Sequence, residues 1–223
     1  MRVTEANEAK NTLWIFGNSN SAILDPGIGW CRQYIGYKGY ISKTFGEILS
    51  EKLNYNFNNF SLHGGDNYSI FEVFCKNIQH IKKGDWVIFG WSSLCRFRIG
   101  RENKTWAYIS PMNVDNELLK NLKYISQDTL DSLSLNRSNV QSLLVNEIEI
   151  WMNLIKTVLP ECTLIFYTPS LDDFINTDGK SIGVQHFDVQ QIVDETEGFL
   201  EDGHYSEQGH IDLAEILYQQ NIK

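Results

Sequence analysis

Three residue types that cooperate in acyl transfer stand at opposite ends of this 223-residue chain. Ser19 lies in "GNSNS", directly after the apolar run "TLWIFG" (12–17). His204 lies in "EDGHYSEQGH", with Glu201 and Asp202 just before it and the helix-start residue Ser206 just after. A serine hydroxyl becomes a nucleophile when a neighbouring base takes its proton, and that base needs an acid to orient it. Backbone N–H groups must also face the developing oxyanion, and glycine lets the main chain come that close. Two more stretches supply glycine beside small polar residues, "GGDN" (64–67) and "GWSS" (90–93). Alone, a Gly-x-Ser tripeptide or a "DGH" is commonplace. Their meaning rests on where the surrounding elements put them.

Three apolar runs read as buried strands: "TLWIFG" (12–17), "DWVIFGW" (85–91) and "CTLIFYT" (162–168). They are continuous rather than alternating, as parallel strands covered on both faces should be. "YNFNNFSLHG" (55–64) is a weaker fourth. Helical patterns fall between them: "TFGEILSEKL" (44–53) behind a Thr start signal, "NYSIFEVFCKNIQHI" (67–81) starting at Asn67, and a long helix over 138–159 ended by Pro160. In that long helix Val140, Leu143, Leu144, Trp151, Leu154, Ile155 and Val158 recur at helical spacing. A last helix starts near Ser206 and puts His210, Leu213, Ala214 and Leu217 on one face. Strands alternating with helices predict an α/β fold, a three-layer α/β/α sandwich on a mainly parallel sheet, as one domain over 1–223. Residues 100–135 follow no pattern and read as an insertion or lid. In 171–200, also irregular, "NTDGKSIG" reads as a turn. In such a sheet ligands bind outside the carboxyl ends of the strands. "GNSNS", "GGDN" and "GWSS" each follow a strand at that end.

In this order the motifs resemble the SGNH hydrolases, the GDSL-like esterases, over nearly the whole chain. Gly17-Asn18-Ser19 stands where that family has Gly-Asp-Ser. Gly65, after Asn59, matches the second block, Gly90-Trp91-Ser92-Ser93 the third, and Glu201-Asp202-Gly203-His204 the last. The resemblance implies a serine esterase with Ser19 as nucleophile and His204 as general base. It implies an acid just before the histidine; spacing favours Glu201, three residues ahead, and leaves Asp202 open. The N–H groups of Ser19 and Gly65 would form part of the oxyanion hole. The chain departs from the family at Asn18, where Asp is usual, and at Ser92, where an Asn donor is usual. Asn67 and Arg96 are candidates to replace that donor. The substrate implied is a small-molecule or carbohydrate ester, with an O-acetyl group as first expectation.

Composition narrows the alternatives. A formal net charge of −9, with no basic cluster beyond "IKK" and "CRFRIGR", argues against a nucleic-acid partner. The four cysteines, Cys31, Cys75, Cys95 and Cys162, form no CxxC pair and read as reduced core thiols. No metal-ligand spacing such as HExxH occurs, and neither a metal nor a cofactor is expected. The polar N-terminus lacks a signal-peptide pattern, and no apolar run approaches the roughly 20 residues that span a bilayer, so a cytoplasmic or virus-particle location is expected. His63 reads as a loop residue, His80 and His186 as surface residues, His210 as a helix-face residue, and Asp25-Pro26-Gly27 as a turn. Trp91, Phe97, Trp106 and Tyr108 line a sugar groove or pack beneath the insertion. Two other functions fit parts of the pattern. A non-catalytic SGNH-like glycan-binding or structural module would account for the altered third block. A flavodoxin-like loop binding phosphate or FMN would account for "GNSNS" but leave "EDGH" unexplained.

Overall fold

The computed structural model describes residues 10–94, 96–100, 106–109, 137–170 and 174–222. Five parallel strands form its sheet, in the order β2-β1-β3-β6-β7. They are β1 (Thr12–Gly17), β2 (Asn56–Asn59), β3 (Trp86–Gly90), β6 (Thr163–Thr168) and β7 (Gln185–His186). The α-helices are α1 (Gly29–Lys38), α2 (Phe45–Leu53), α3 (Asn67–Asn77), α4 (Arg137–Val158), α5 (Ile192–Glu195) and α6 (Glu207–Asn221). A separate antiparallel pair, β4 (Phe97–Gly100) with β5 (Trp106–Ile109), follows β3. It starts the stretch read as an insertion; most of that stretch, 101–105 and 110–135, lies outside the described residues.

Alternation along the strands builds two cores. Trp14, Phe16, Val87, Phe89 and Phe166 point to one face, where α3 supplies Ile70 and Phe74 and α4 supplies Val145, Ile148, Met152 and Ile155. Leu13, Ile15, Trp86, Ile88, Ile165 and Tyr167 point to the other, against Phe45 and Leu49 of α2 and Leu213, Ala214 and Leu217 of α6. The result is a three-layer α/β/α fold. On the first face Phe16 stacks on Phe89 at 5.5 Å and Phe89 on Phe166 at 5.5 Å, so an aromatic row crosses the three central strands. Each such pair adds about 0.5–1.5 kcal/mol beyond area burial. The buried Asp85 carboxylate pins the base of the sheet, accepting from Thr12 N (2.8 Å), Trp14 Nε1 (2.8 Å) and Lys82 N (2.9 Å).

Some expectations shift. The long helix buries Val145, Ile148, Met152 and Ile155, while Leu143, Leu154 and Val158 are exposed. Its apolar arc is broad, so spacing did not select the buried edge. Helix α3 is capped by Asp66, whose carboxylate accepts from Ser69 N at 2.8 Å, and Asn67 is its first helical residue. Of the described cysteines Cys31 is buried, Cys75 exposed and Cys162 partly buried. Trp91 is fully buried in the core rather than in a groove; the side chains of Phe97, Trp106 and Tyr108 lie outside the described residues.

His210 fastens α6 to α2. It is 2% exposed, and its Nδ1 accepts the Phe45 N–H at 3.2 Å. Burial, and then the nearby His204, push His210 down to about 3 against a smaller upward pull from Glu207. In the unfolded chain a histidine takes its proton at about 6.5. His210 therefore supports the fold above about pH 6.5, and that support is lost as pH falls from there towards 3, at up to about 1.4 kcal/mol per pH unit. Urea midpoints measured from about pH 7 down to 4 should fall less steeply in His210→Gln than in the parent protein.

Candidate active site

The site forms where three strand ends meet. β1 and β3 run in register, Gly17 opposite Gly90, so the loops that leave them emerge side by side. A Cβ on either glycine would strike the Ser21 hydroxyl, so both positions need the bare backbone. Asn18 stitches the two loops: its N–H donates to Gly90 O at 3.2 Å, and its amide reaches Trp91 O at 3.4 Å. Its Oδ1 accepts Asn20 N at 2.9 Å, so the side chain closes the loop on itself. From β2, Asn59 Nδ2 donates to Ser21 O at 2.7 Å. The loop is thereby held on both sides.

These bonds distinguish the serines of the loop. Ser21 is 0% exposed and its hydroxyl pairs with the Tyr167 hydroxyl at 2.6 Å. Burial drives that phenol well above its ordinary value. Ser19 instead faces a cavity of about 320 Å³ and meets His204 Nε2 with its Oγ at 2.6 Å, across 185 residues of sequence. On the far side of the ring, His204 Nδ1 pairs with Asp202 Oδ1, which also accepts the His204 N–H at 2.8 Å. Burial acts to raise the Asp202 carboxyl, but the hydrogen bonds and charge of His204 outweigh it and hold the group below the usual carboxylate range. The loop carrying both residues is anchored by Ile192 N to His204 O (2.8 Å) and by Tyr205 N to Asn20 Oδ1 (3.0 Å). The second bond ties it directly to the serine loop.

Four sequence-predicted roles change or sharpen. Glu201 is exposed at the cavity rim, and Asp202 holds the position spacing had favoured for it. The reason is the tight turn at Asp202-Gly203-His204, which folds the nearer carboxylate back under the ring. Gly65 N–H donates to Leu62 O at 3.1 Å, closing a turn in which Gly64 has φ 75°. That N–H is thus taken up within its own loop rather than offered to an oxyanion. The Asn67 side chain clamps the main chain of Ser92, accepting Ser92 N at 2.6 Å and donating to Ser92 O at 3.0 Å. Asn67 is therefore a support for the third loop, not a free donor. The Ser92 hydroxyl is buried, without a hydrogen-bond partner among the described residues, in a residue that lines the cavity.

Arg96 lines the same cavity and also an adjoining one of about 380 Å³ that includes Tyr68, Leu144, Ile148 and Trp151. Among the described residues its guanidinium makes a single hydrogen bond, to Gly65 O at 3.3 Å. Burial pulls its pKa down and the Asp66 carboxylate acts to raise it. With Gly65 and Asn67 occupied, donors near Ser19 among the described residues include its own N–H, the Ser92 hydroxyl and Arg96.

One neighbour has no counterpart in the sequence reading. Trp30, from α1, lies flat on the His204 ring, with centroids 3.8 Å apart and planes at 7°. Helix α1 itself was missed: its N-cap is Ile28, which makes no side-chain cap bond, and Gly29 and Gly36 interrupt its pattern. His63 fills a loop role beside it, 5.8 Å from Trp30, with Nε2 near Ile23 O at 3.3 Å. Asp25 forms the expected turn, accepting Gly27 N at 2.7 Å.

Among the described residues, no group of three or more His, Cys, Asp or Glu could hold a metal ion, and no helix is long and apolar enough to cross a membrane. No protein-family model matches the chain, and no curated protein matches it. The geometry alone therefore separates the two acids. Asp202→Ala should lower turnover of an ester by orders of magnitude and Glu201→Ala should change it less than a few-fold, as read from kcat for each purified variant.

Proposed function

We propose that this protein is a serine esterase of the SGNH type. The observation that carries the reading is the unbroken chain of contacts from Ser19 Oγ to His204 Nε2 and from His204 Nδ1 to Asp202. In the proposed reaction His204 Nε2 takes the Ser19 proton as Oγ attacks the ester carbonyl. Asp202 holds the opposite ring nitrogen, fixes the tautomer, and balances the imidazolium that forms. The carbonyl oxygen gains negative charge, which the Ser19 N–H, the Ser92 hydroxyl and the Arg96 guanidinium stabilise. Collapse breaks the bond to the alcohol, which leaves with the proton from Nε2. Water, activated by the same nitrogen, then attacks the acyl-serine and restores the free hydroxyl.

The oxyanion arrangement is this chain's own. The family's Asn is replaced by Ser92, and a cation stands nearby. A guanidinium in a partly desolvated cavity stabilises a developing oxyanion strongly, since charge-assisted bonds are about twice as strong as neutral ones. The cavity in front of Ser19 leaves space for a substrate, and the Ser19–His204–Asp202 contacts favour turnover over a purely structural or binding role. Together with the adjoining cavity beyond Arg96 it leaves room for a small-molecule or carbohydrate ester, and an acetyl ester is the first substrate to test.

The test is hydrolysis of p-nitrophenyl acetate. The parent protein should release p-nitrophenol catalytically and Ser19→Ala should not. Arg96→Met should lower kcat by about 10²–10³, the range seen when one oxyanion donor is removed. Equal rates for the parent protein and Ser19→Ala would end the esterase reading.

A further inference from the structure

The hydrogen bonds of His204 leave one motion of its ring unchecked. Asp202 at Nδ1 and Ser19 at Nε2 both act in the ring plane. Together they fix a line through the imidazole. They do not stop the ring from rocking about that line, which would swing the Nδ1–H bond and the Nε2 lone pair away from their partners. Only a contact on a ring face can do so. Trp30 supplies one, parallel to within 7° at a centroid separation of 3.8 Å.

The indole is itself held at a distance. Further along α1, the Tyr34 hydroxyl donates to the Glu195 carboxylate and accepts Glu207 N at 2.7 Å. Lys38 Nζ bridges Glu195 and Glu207, each at 2.7 Å. Glu195 ends α5 and Glu207 begins α6, the two helices between which the His204 loop is strung. The helix bearing Trp30 and the loop bearing His204 are thus fastened to the same two supports. An indole face is also the best aromatic partner for a cation, so the stack strengthens when the ring takes the serine proton and becomes imidazolium.

We propose that Trp30 is a positioning residue for the general base: it holds the His204 ring plane and favours the charged ring formed during catalysis. The proposal rests on the esterase reading above. Its effect belongs to the transition state, so it acts on kcat rather than on substrate binding.

The experiment compares Trp30→Phe, Trp30→Leu and Trp30→Met with the parent protein on p-nitrophenyl acetate, at a temperature where thermal melts show all four folded. Loss of the aromatic face in Leu and Met should lower kcat about tenfold or more with KM within about twofold, and Phe should recover most of the loss. Labelling of Ser19 by a fluorophosphonate should slow in parallel. Leu and Met variants as fast as the parent protein, a Phe variant no better than they are, or a loss confined to KM would overturn the role of Trp30 while leaving the esterase intact. A parent protein inert to both the ester and the fluorophosphonate would remove the esterase reading, and this proposal with it.

Discussion

The site depends on one register, the pairing of Gly17 with Gly90 at the carboxyl ends of two parallel strands. Because the strands end together, the chain leaves both of them at the same height. Because neither residue carries a Cβ, Ser21 and Tyr167 can pack into the seam between them. Asn18 then bonds across that seam to Gly90 and Trp91. The Ser19 loop is thus bonded to the sheet as an extension of it rather than standing as a free tip. A one-residue slip would reverse the side chains of β1 from one core to the other, so the two hydrophobic faces and the active-site loop are specified by the same pairing.

Around that seam the polar groups are arranged as supports, each layer holding the next. Asn59 reaches from β2 to Ser21, Asn67 reaches from α3 to Ser92, and Asn20 reaches to Tyr205 beside the histidine. Three asparagines, each able to donate and accept, thus tie down the main chain of these loops. Amides suit this task because they satisfy main-chain groups without placing extra charge beside Ser19 and His204. Among the described residues, the carboxylates and the guanidinium that line the cavity are those of Asp202, Glu201 and Arg96.

Much of this was legible in the sequence, and the exceptions have physical causes. The strands at 12–17, 85–91 and 162–168 were visible because both their faces are buried, which makes them continuous apolar runs. The buried face of α6 was visible in His210, Leu213, Ala214 and Leu217, all of which are in the core. Ser19 and His204 could be paired because their positions relative to strand and helix carry the signal. The choice between Glu201 and Asp202 could not be made, since it depends on the turn at Gly203 and not on spacing. The roles of Gly65 and Asn67 were misjudged because a residue type announces what it can donate, not where a neighbour has already engaged it. Trp30 left no trace at all. Its contact joins residues from opposite ends of the chain, through a helix with weak capping and two glycines.

Acid and base share one short loop, with two residues' separation and a common turn binding them to each other. They form a cassette whose internal geometry is local, whereas the serine belongs to a different part of the chain. What joins that pair to the serine loop is the His204–Ser19 contact and the bond from Tyr205 N to Asn20 Oδ1. The placing of Ser19 against the pair therefore depends on bonds made across the length of the chain, whereas that of Asp202 against His204 is built into one turn.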